Sequence, residues 1–321
     1  PGKTLIYGHR GSGMNCAYSK RPGRLQLGEN TVLSMEHAFN NGAVAVELDV
    51  QLTRDLVPVI YHNWIVTETN LNTPVNSLTL KQFLALNPRN RPIPYSRSDN
   101  DLAIKPMTLD AQAPLSKANS KETVQAPFAT LDDLFNKLPS GVGFDIEVKY
   151  PLRDKADRVG MATSFEVNLF LDRILDVIYN HVGNPSLPEL QRSKGYRPVV
   201  LTSFHPDICL LLAHKVGQDF PIMLLTNSGR SNMADKRCKS MDVAVRLSKW
   251  AGLAGIVTHV DPVLQSPRVV SLARRHKLLV ATYGAPNFHA QNVQLQKTYH
   301  VDAVITDDPR AAVAAVEDKQ E

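Results

Sequence analysis

Cysteine is scarce. Cys16, Cys209 and Cys238 are the only three in 321 residues; they lie far apart, show no metal-ligand spacing and cannot all pair. A disulfide-stapled fold is therefore not expected, and a reducing compartment, the cytoplasm, is. Long apolar runs are missing too. Stretches such as Ile208 to Ala213 fall far short of the roughly 20 residues that cross a bilayer, so no membrane insertion is expected. The chain opens without an initiator Met, a basic leader or a long apolar leader core, which predicts a piece cut from a longer protein. Basic runs of five or more are lacking: 36 Lys and Arg stand against 31 Asp and Glu, a net charge of +5. That balance is too mild and dispersed for nucleic acid as a partner, and it favours an anionic small molecule only weakly. No repeat of fixed period and no glycine-rich nucleotide fingerprint is found.

What is present is a globular composition, 43% apolar and 21% charged, over a length that suits one large barrel or two ordinary domains. The most informative stretch runs from Val44 to His62. Val44, Val46, Leu48 and Val50 alternate with Ala45, Glu47, Asp49 and Gln51, the period of a strand with one greasy and one polar face. Glu47 and Asp49 then point the same way, with Cβ atoms about 6.6 Å apart at the usual strand rise, close enough to grip one hard cation. A second short apolar run, Pro58 to Tyr61, delivers His62 beside them.

Period-two runs recur at Thr4 to His9, Val142 to Val148, Pro198 to Ser203, Pro221 to Leu225, Gly255 to His259, Lys277 to Tyr283 and Ala303 to Thr306. Helical spacing falls between them at Asn30 to Asn41, Thr130 to Leu138, Ser164 to His181, Asp207 to Lys215, Met241 to Ala251, Ser266 to His276 and Phe288 to Tyr299. With the strand over 44–51 this makes an eightfold βα alternation, which predicts an α/β protein of the (β/α)₈ TIM-barrel type occupying residues 1–321 as one domain. Residues 14–28 read as an extended loop. The stretch 63–129 breaks the rhythm and reads as an insertion after the second strand region, with one helix at Leu80 to Leu86.

In such barrels the active site lies at the C-terminal ends of the strands, where His9, Glu47, Asp49, His62, Glu147, Lys149 and Ser203 fall. Glu47, Asp49 and Glu147 offer oxygen ligands only, which predicts one divalent cation, Mg²⁺ or Ca²⁺, over zinc. His9 and His62 can exchange protons near neutral pH, with His205 and His259 in reserve. Arg10 and Lys149 bring positive charge for a phosphodiester. Gly11 and Gly13 would let backbone amides approach that phosphate.

The ordered set His9-Arg10-Gly11, Gly28-Glu29-Asn30-Thr31, Glu47-x-Asp49, Asp55-x-x-Pro58-Val59-x-x-His62, Glu147-x-Lys149, Ser203-Phe204, Gly255-Ile256 and Asp302-Ala303-Val304-Ile305-Thr306-Asp307-Asp308-Pro309 resembles the glycerophosphodiester phosphodiesterase family, over nearly the whole chain. The resemblance implies hydrolysis of a glycerophosphodiester to glycerol 3-phosphate and an alcohol. It makes Glu47, Asp49 and Glu147 the metal ligands, His9 and His62 the acid-base pair, and Arg10 and Lys149 the phosphate contacts. Glu29 becomes a residue that orders the loop behind them. Water or the substrate's own glycerol 2-hydroxyl serves as nucleophile.

Leu78 to Phe83, Gly143 to Pro151 and Thr282-Tyr283-Gly284 resemble the large fungal and other eukaryotic members. In these the catalytic domain follows regulatory N-terminal regions, and glycerophosphocholine is the typical substrate. Gly28, Asn63 and the Thr282-Tyr283-Gly284 segment with Asn287 depart from the commonest family pattern, which bears on alcohol selectivity. A choline headgroup calls for an aromatic face, for which Trp64, Tyr150, Phe204 and Tyr283 are candidates. Two other readings stand beside this one: a catalytically silent barrel that senses glycerophosphodiesters, and a phospholipase D-like hydrolase acting on lipids.

Overall fold

Eight parallel strands close on themselves in the computed structural model, which describes residues 3–15, 26–66, 73–87, 123–124, 126–152, 164–182, 197–230, 235–238 and 240–317. They are β1 (Leu5–Gly8), β2 (Ala45–Leu52), β3 (Gly143–Val148), β4 (Val199–Ser203), β5 (Ile222–Thr226), β6 (Gly255–His259), β7 (Leu279–Tyr283) and β8 (Ala303–Thr306). Each pairs with its successor, and β8 returns to β1 through Leu5 opposite Ala303. The structure is the expected (β/α)₈ barrel.

Alternation along the strands sorts the core into two layers. On β5, Ile222 and Leu224 face the helices, while Met223 and Leu225 join Val257, Ala281, Ala303 and Ile305 inside the barrel. On β2, every residue is buried. Val46, Leu48 and Val50 pack outward with Met35, Ala38 and Phe170, which leaves Glu47, Asp49 and Gln51 for the interior. Burying one such Leu or Val side chain contributes about 1.5–3 kcal/mol. Helix starts are set by polar caps. Thr31 opens α1 (Val32–Asn40) by accepting from Ser34 N, and Thr130 opens α3 (Leu131–Lys137) in a reciprocal box with Asp133. Such a cap is worth about 1 kcal/mol. Between them, α2 (Leu80–Leu86) is boxed by Thr79 and Gln82.

The remaining helices are α4 (Val167–Val182), α5 (Pro206–Val216), α6 (Met241–Trp250), α7 (Val260–Gln265), α8 (Arg268–Arg275), α9 (Ala290–Thr298) and α10 (Pro309–Glu317). Two of these, α7 and α10, extend the expected pattern. In α7 the apolar stripe is too short to announce itself, and four of the nine residues of α10 are alanine, a weakly apolar residue that does not mark a face clearly in the sequence. Helix α9 begins later than Phe288 because Gly284, at φ 122°, feeds a tight 3₁₀ turn over Ala285–Phe288 first. The run Pro58–Ile60 is an antiparallel strand laid on the end of β2, with Val50 opposite Ile60.

Of the stretch 63–129, the described parts hold a small core of their own, in which Phe83 stacks on Phe128 at 4.8 Å and meets Tyr61 edge-on. Much of that stretch, most of 14–28, and Cys16 lie outside the described residues.

Candidate active site

Register brings the carboxylates together. β2 and β3 run parallel with Glu47 opposite Asp145 and Asp49 opposite Glu147, so inward side chains from neighbouring strands stand side by side about 4.8 Å apart. One carboxylate oxygen from each of Glu47, Asp49 and Glu147 lies within 4.8 Å of the others. Lys149, which leaves the end of β3, turns back into this cluster: its Nζ donates to Asp49 Oδ1 at 3.1 Å and to Glu147 Oε1 at 2.9 Å. Arg10 enters from the end of β1. Its backbone adopts φ 47°, an uncommon state for a non-glycine residue, and this turns its N–H to donate to Glu47 Oε2 at 2.9 Å. The guanidinium then reaches Glu29 at 2.9 Å and Asp49 at 3.5 Å.

The electrostatics of this cluster divide its members. Burial, then the charges of Asp49 and Glu147, pushes the Glu47 carboxyl well above its ordinary range. Burial likewise raises Glu147, although Lys149 opposes it. For Asp49 burial is outweighed by Lys149, by Arg10 and by a hydrogen bond from Asn30, and its carboxyl is held far below the usual range. Under the cluster, burial lifts Asp145 to about 7 against a hydrogen bond from Thr202 Oγ1. Four carboxyl groups, Glu47, Asp49, Asp145 and Glu147, thus stand against two cations, Lys149 and Arg10. A buried, all-oxygen set that repels itself fits a hard divalent cation, which would relieve that repulsion.

The two histidines stand on either side. His9 Nδ1 contacts Asp307 Oδ1 at 2.7 Å, and its Nε2 faces Glu47 Oε2 at 3.9 Å. An ionised carboxylate only accepts, so Nδ1 carries the proton and Nε2 is turned to the cavity. Burial would raise Asp307, yet His9 and Arg10 hold it below the ordinary range. His62 Nδ1 donates to Asn63 Oδ1 at 2.9 Å, and burial pushes its pKa down to about 3 against the pull of Asp49. It is a neutral imidazole at pH 7.

Two positioning residues lie outside the sequence-based set. Asp307 orients His9, and Asn30 clamps Asp49 by donating from Nδ2 to Oδ2 at 2.8 Å while accepting from Asp49 N at 3.3 Å. Both belong to motifs quoted above, but their partners are distant in sequence. Glu29 accepts from Arg10 and from Asn15 N, which ties its loop to the arginine. Gly11 and Gly13 are placed by packing. At φ 90° and 100° they allow close packing, Gly11 on Ser34 and Gly13 on Asp307.

A cavity of about 240 Å³ is lined by His9, Arg10, Glu47, His62, Glu147 and Lys149 together with the aromatic side chains of Trp64, Tyr150, Phe204 and Tyr283. Ser203 lines it too, with its hydroxyl donating to Val148 O at 2.8 Å. The reserve histidines do not line it. His205 precedes α5 with its ring edge-on to Tyr150, and His259 accepts from Arg230 at 2.6 Å.

A parallel barrel with carboxylates, imidazoles and cationic side chains converging at its C-terminal mouth is built like a phosphodiesterase. The chain belongs to the glycerophosphoryl diester phosphodiesterase family, which it matches over residues 9–311. A glycerophosphocholine phosphodiesterase of Candida albicans is 36% identical over 95% of this chain and 28% of that protein. Its namesake in Schizosaccharomyces pombe is 33% identical over 95% of this chain and 28% of its own length. The chain thus spans about a quarter of these fungal relatives. Among solved structures, an Oleispira antarctica phosphodiesterase in complex with the product sn-glycerol-3-phosphate has the same fold, with TM-score 0.63 at 15% identity over 98% of each chain.

Proposed function

We propose that this chain hydrolyses glycerophosphodiesters, with glycerophosphocholine favoured, to sn-glycerol 3-phosphate and the free alcohol. The observation that carries the reading is the convergence of Glu47, Asp49 and Glu147 with His9 and His62 on one cavity. A divalent cation, Mg²⁺ or Ca²⁺, held by those three carboxylates would supply positive charge to the phosphoryl oxygens.

The chain's own residues do the rest. Arg10 and Lys149 bind and orient the phosphate; neither is free of partners, so each would share its N–H groups between carboxylate and phosphate. His9, with Nδ1–H fixed on Asp307, takes the proton from the attacking hydroxyl at Nε2, and Asp307 stabilises the imidazolium that forms. That hydroxyl belongs to water, or to the glycerol 2-position with a cyclic phosphate as intermediate. As the new P–O bond forms, the P–O bond to the alcohol breaks, and His62 gives a proton to the leaving oxygen. Burial holds His62 neutral in the free protein, with its proton on Nδ1, so this role requires that His62 take up a second proton from water at Nε2 as the anionic diester binds, and pass that proton to the leaving oxygen. Glu29 holds Arg10 in place.

The layout proposed with this activity is one catalytic barrel, 1–321, with 63–129 as an insertion, fused in the full-length protein to regulatory N-terminal domains. The length of the fungal relatives supports the fusion. Cytoplasmic residence is proposed on cysteine use, Cys209 and Cys238 being buried free thiols. Among the described residues no helix is long and apolar enough to cross a membrane.

The test is a panel of glycerophosphodiesters with choline, ethanolamine, inositol and glycerol leaving groups, plus a lysophospholipid, with products read by phosphorus NMR. Release of sn-glycerol 3-phosphate from the water-soluble diesters is expected. Binding without turnover across the panel would point to a silent sensor, and turnover of the lysophospholipid alone to a lipid hydrolase.

A further inference from the structure

One carboxyl in the cavity wall has no part in the steps above. Glu47 and Glu147 belong to the cation set and accept from Arg10 N and Lys149 Nζ, whereas Asp145 lines the same cavity outside that set and is only 2% exposed. Its two oxygens differ. Oδ1 accepts from Thr202 Oγ1 at 3.2 Å, and Oδ2 has no hydrogen-bond partner among the described residues. A buried acceptor without a donor is costly, so a site that keeps one is shaped for a donor that arrives with a ligand. Thr202 lines the cavity beside it, and a hydroxyl that donates its proton to Asp145 still accepts. The pair lies on the closed side of the cavity. Asp145 precedes Glu147 by two residues on β3, which places it on the same inner face about 6.6 Å further into the barrel. Tyr7, paired with Ala45 one layer below Glu47, packs there with Met223, Val257, Ala281 and Ala303, so the space ends at a filled core.

We propose that Asp145 Oδ2 and Thr202 Oγ1 form the subsite for the glycerol arm of the diester and accept from its two free hydroxyls. The proposal rests on the hydrolytic reading and names what selects the glycerol side of the substrate. Of the parts of glycerophosphocholine, only that arm carries O–H donors: the ionised diester and the quaternary ammonium have none. Its hydroxyls stand on neighbouring carbons, and the two accepting side chains touch each other at 3.2 Å. The glycerol arm is also the short and constant one. A closed floor suits it, while the larger and more varied alcohol is left to the open mouth. Leu225 and Ile305, in the same wall, offer apolar contact to its three-carbon chain. A site built to hydrogen-bond a substrate hydroxyl rejects an analogue that lacks it, because its buried acceptors then go unpaired.

The test measures binding of glycerol 3-phosphate and of n-propyl phosphate by isothermal titration in excess Mg²⁺. The two ligands share the phosphate and the three-carbon chain and differ in the two hydroxyls. The wild type should bind glycerol 3-phosphate about 10- to 100-fold tighter, the effect of two hydrogen bonds. In Asp145→Leu, with folding checked by thermal unfolding, that ratio should fall to within about threefold of unity. Should this variant fail to fold, Asp145→Ala takes its place. Thr202→Val keeps the shape of its side chain and should lower the ratio about 3- to 10-fold. Weakened cation or phosphate contacts affect both ligands alike and cancel in the ratio. A wild-type protein with a ratio near unity would overturn the proposal, as would an undiminished ratio in the folded Asp145 variant; an undiminished ratio in Thr202→Val would strike Thr202 from the subsite. An Asp145 variant that weakens phosphoethanolamine binding and leaves the glycerol ratio intact would also overturn it, because Asp145 would then serve the alcohol arm. Turnover is read separately: a wild type that shows the ratio but hydrolyses no glycerophosphodiester fails the hydrolytic reading and keeps the subsite.

Discussion

Replacing Asp307 by Asn isolates the charge that orients His9. The two side chains are nearly isosteric, and the amide oxygen can still accept from His9 Nδ1–H, so the 2.7 Å contact survives while the carboxylate charge is lost. Asp307 is held below the ordinary carboxylate range by His9 and Arg10 in spite of its burial, and is ionised at neutral pH. A hydrogen bond to a charged partner contributes about 1.5–3 kcal/mol net. If that energy is realised as the imidazolium develops, kcat should fall about 10- to 150-fold, at 1.36 kcal/mol per tenfold. Asp307 does not line the cavity, so KM should change little. Steady-state hydrolysis of glycerophosphocholine, with thermal unfolding as a check on folding, reads both quantities. Asp307→Ala, which leaves Nδ1–H unpaired, should lose more. A folded Asp307→Asn protein with kcat within about threefold of the wild type would refute a proton-transfer role for the pair.

Asn30→Ala removes both hydrogen bonds to Asp49 and should weaken divalent-cation binding about tenfold, as loss of an outer partner of a ligand does; isothermal titration with Mg²⁺ and Ca²⁺ measures it. The cation-free protein should lose stability as pH rises from about 4 to 7. Glu47, Glu147 and Asp145 have folded pKa values above their ordinary range, with Asp145 near 7; they bind more protons folded than unfolded in that window, and this contribution is lost above it. Added cation should therefore raise the unfolding temperature more at pH 7.5 than at pH 5; at pH 7.5 a concentration 100-fold over its Kd contributes about 2.7 kcal/mol of stability. An equal shift at both pH values would show that the carboxylates are not the binding groups.

The barrel was legible because its signals are local. Alternation along Val44 to Gln51 marks both faces of β2, and a rigid pleat then obliges Glu47 and Asp49 to share the inner face. Strand ends are equally local, and a barrel collects them at one mouth, so residues as distant as His9 and Glu147 converge on the same cavity. What escaped was partner choice across long separations. Asp307 meets His9 across 298 positions, and nothing near Thr306 shows which of Asp307 and Asp308 turns inward. Lys149 and Arg10 were expected to meet phosphate; where each also settles depended on carboxylates from other strands. The glycines of the first loop illustrate the same limit, since a positive φ can serve a phosphate or a packing contact, and only tertiary structure shows that Gly13 makes room for Asp307.

The central claim is that Glu47, Asp49 and Glu147 hold a divalent cation without which His9 and His62 cannot cleave the diester. The most direct measurement is release of choline from glycerophosphocholine by protein treated with EDTA, with the metal content determined on the same sample, before and after adding back Mg²⁺ or Ca²⁺. Turnover should disappear with the metal and return on addition in the wild type, and should not return in Glu147→Gln. Undiminished turnover by protein shown to be free of metal would contradict the account.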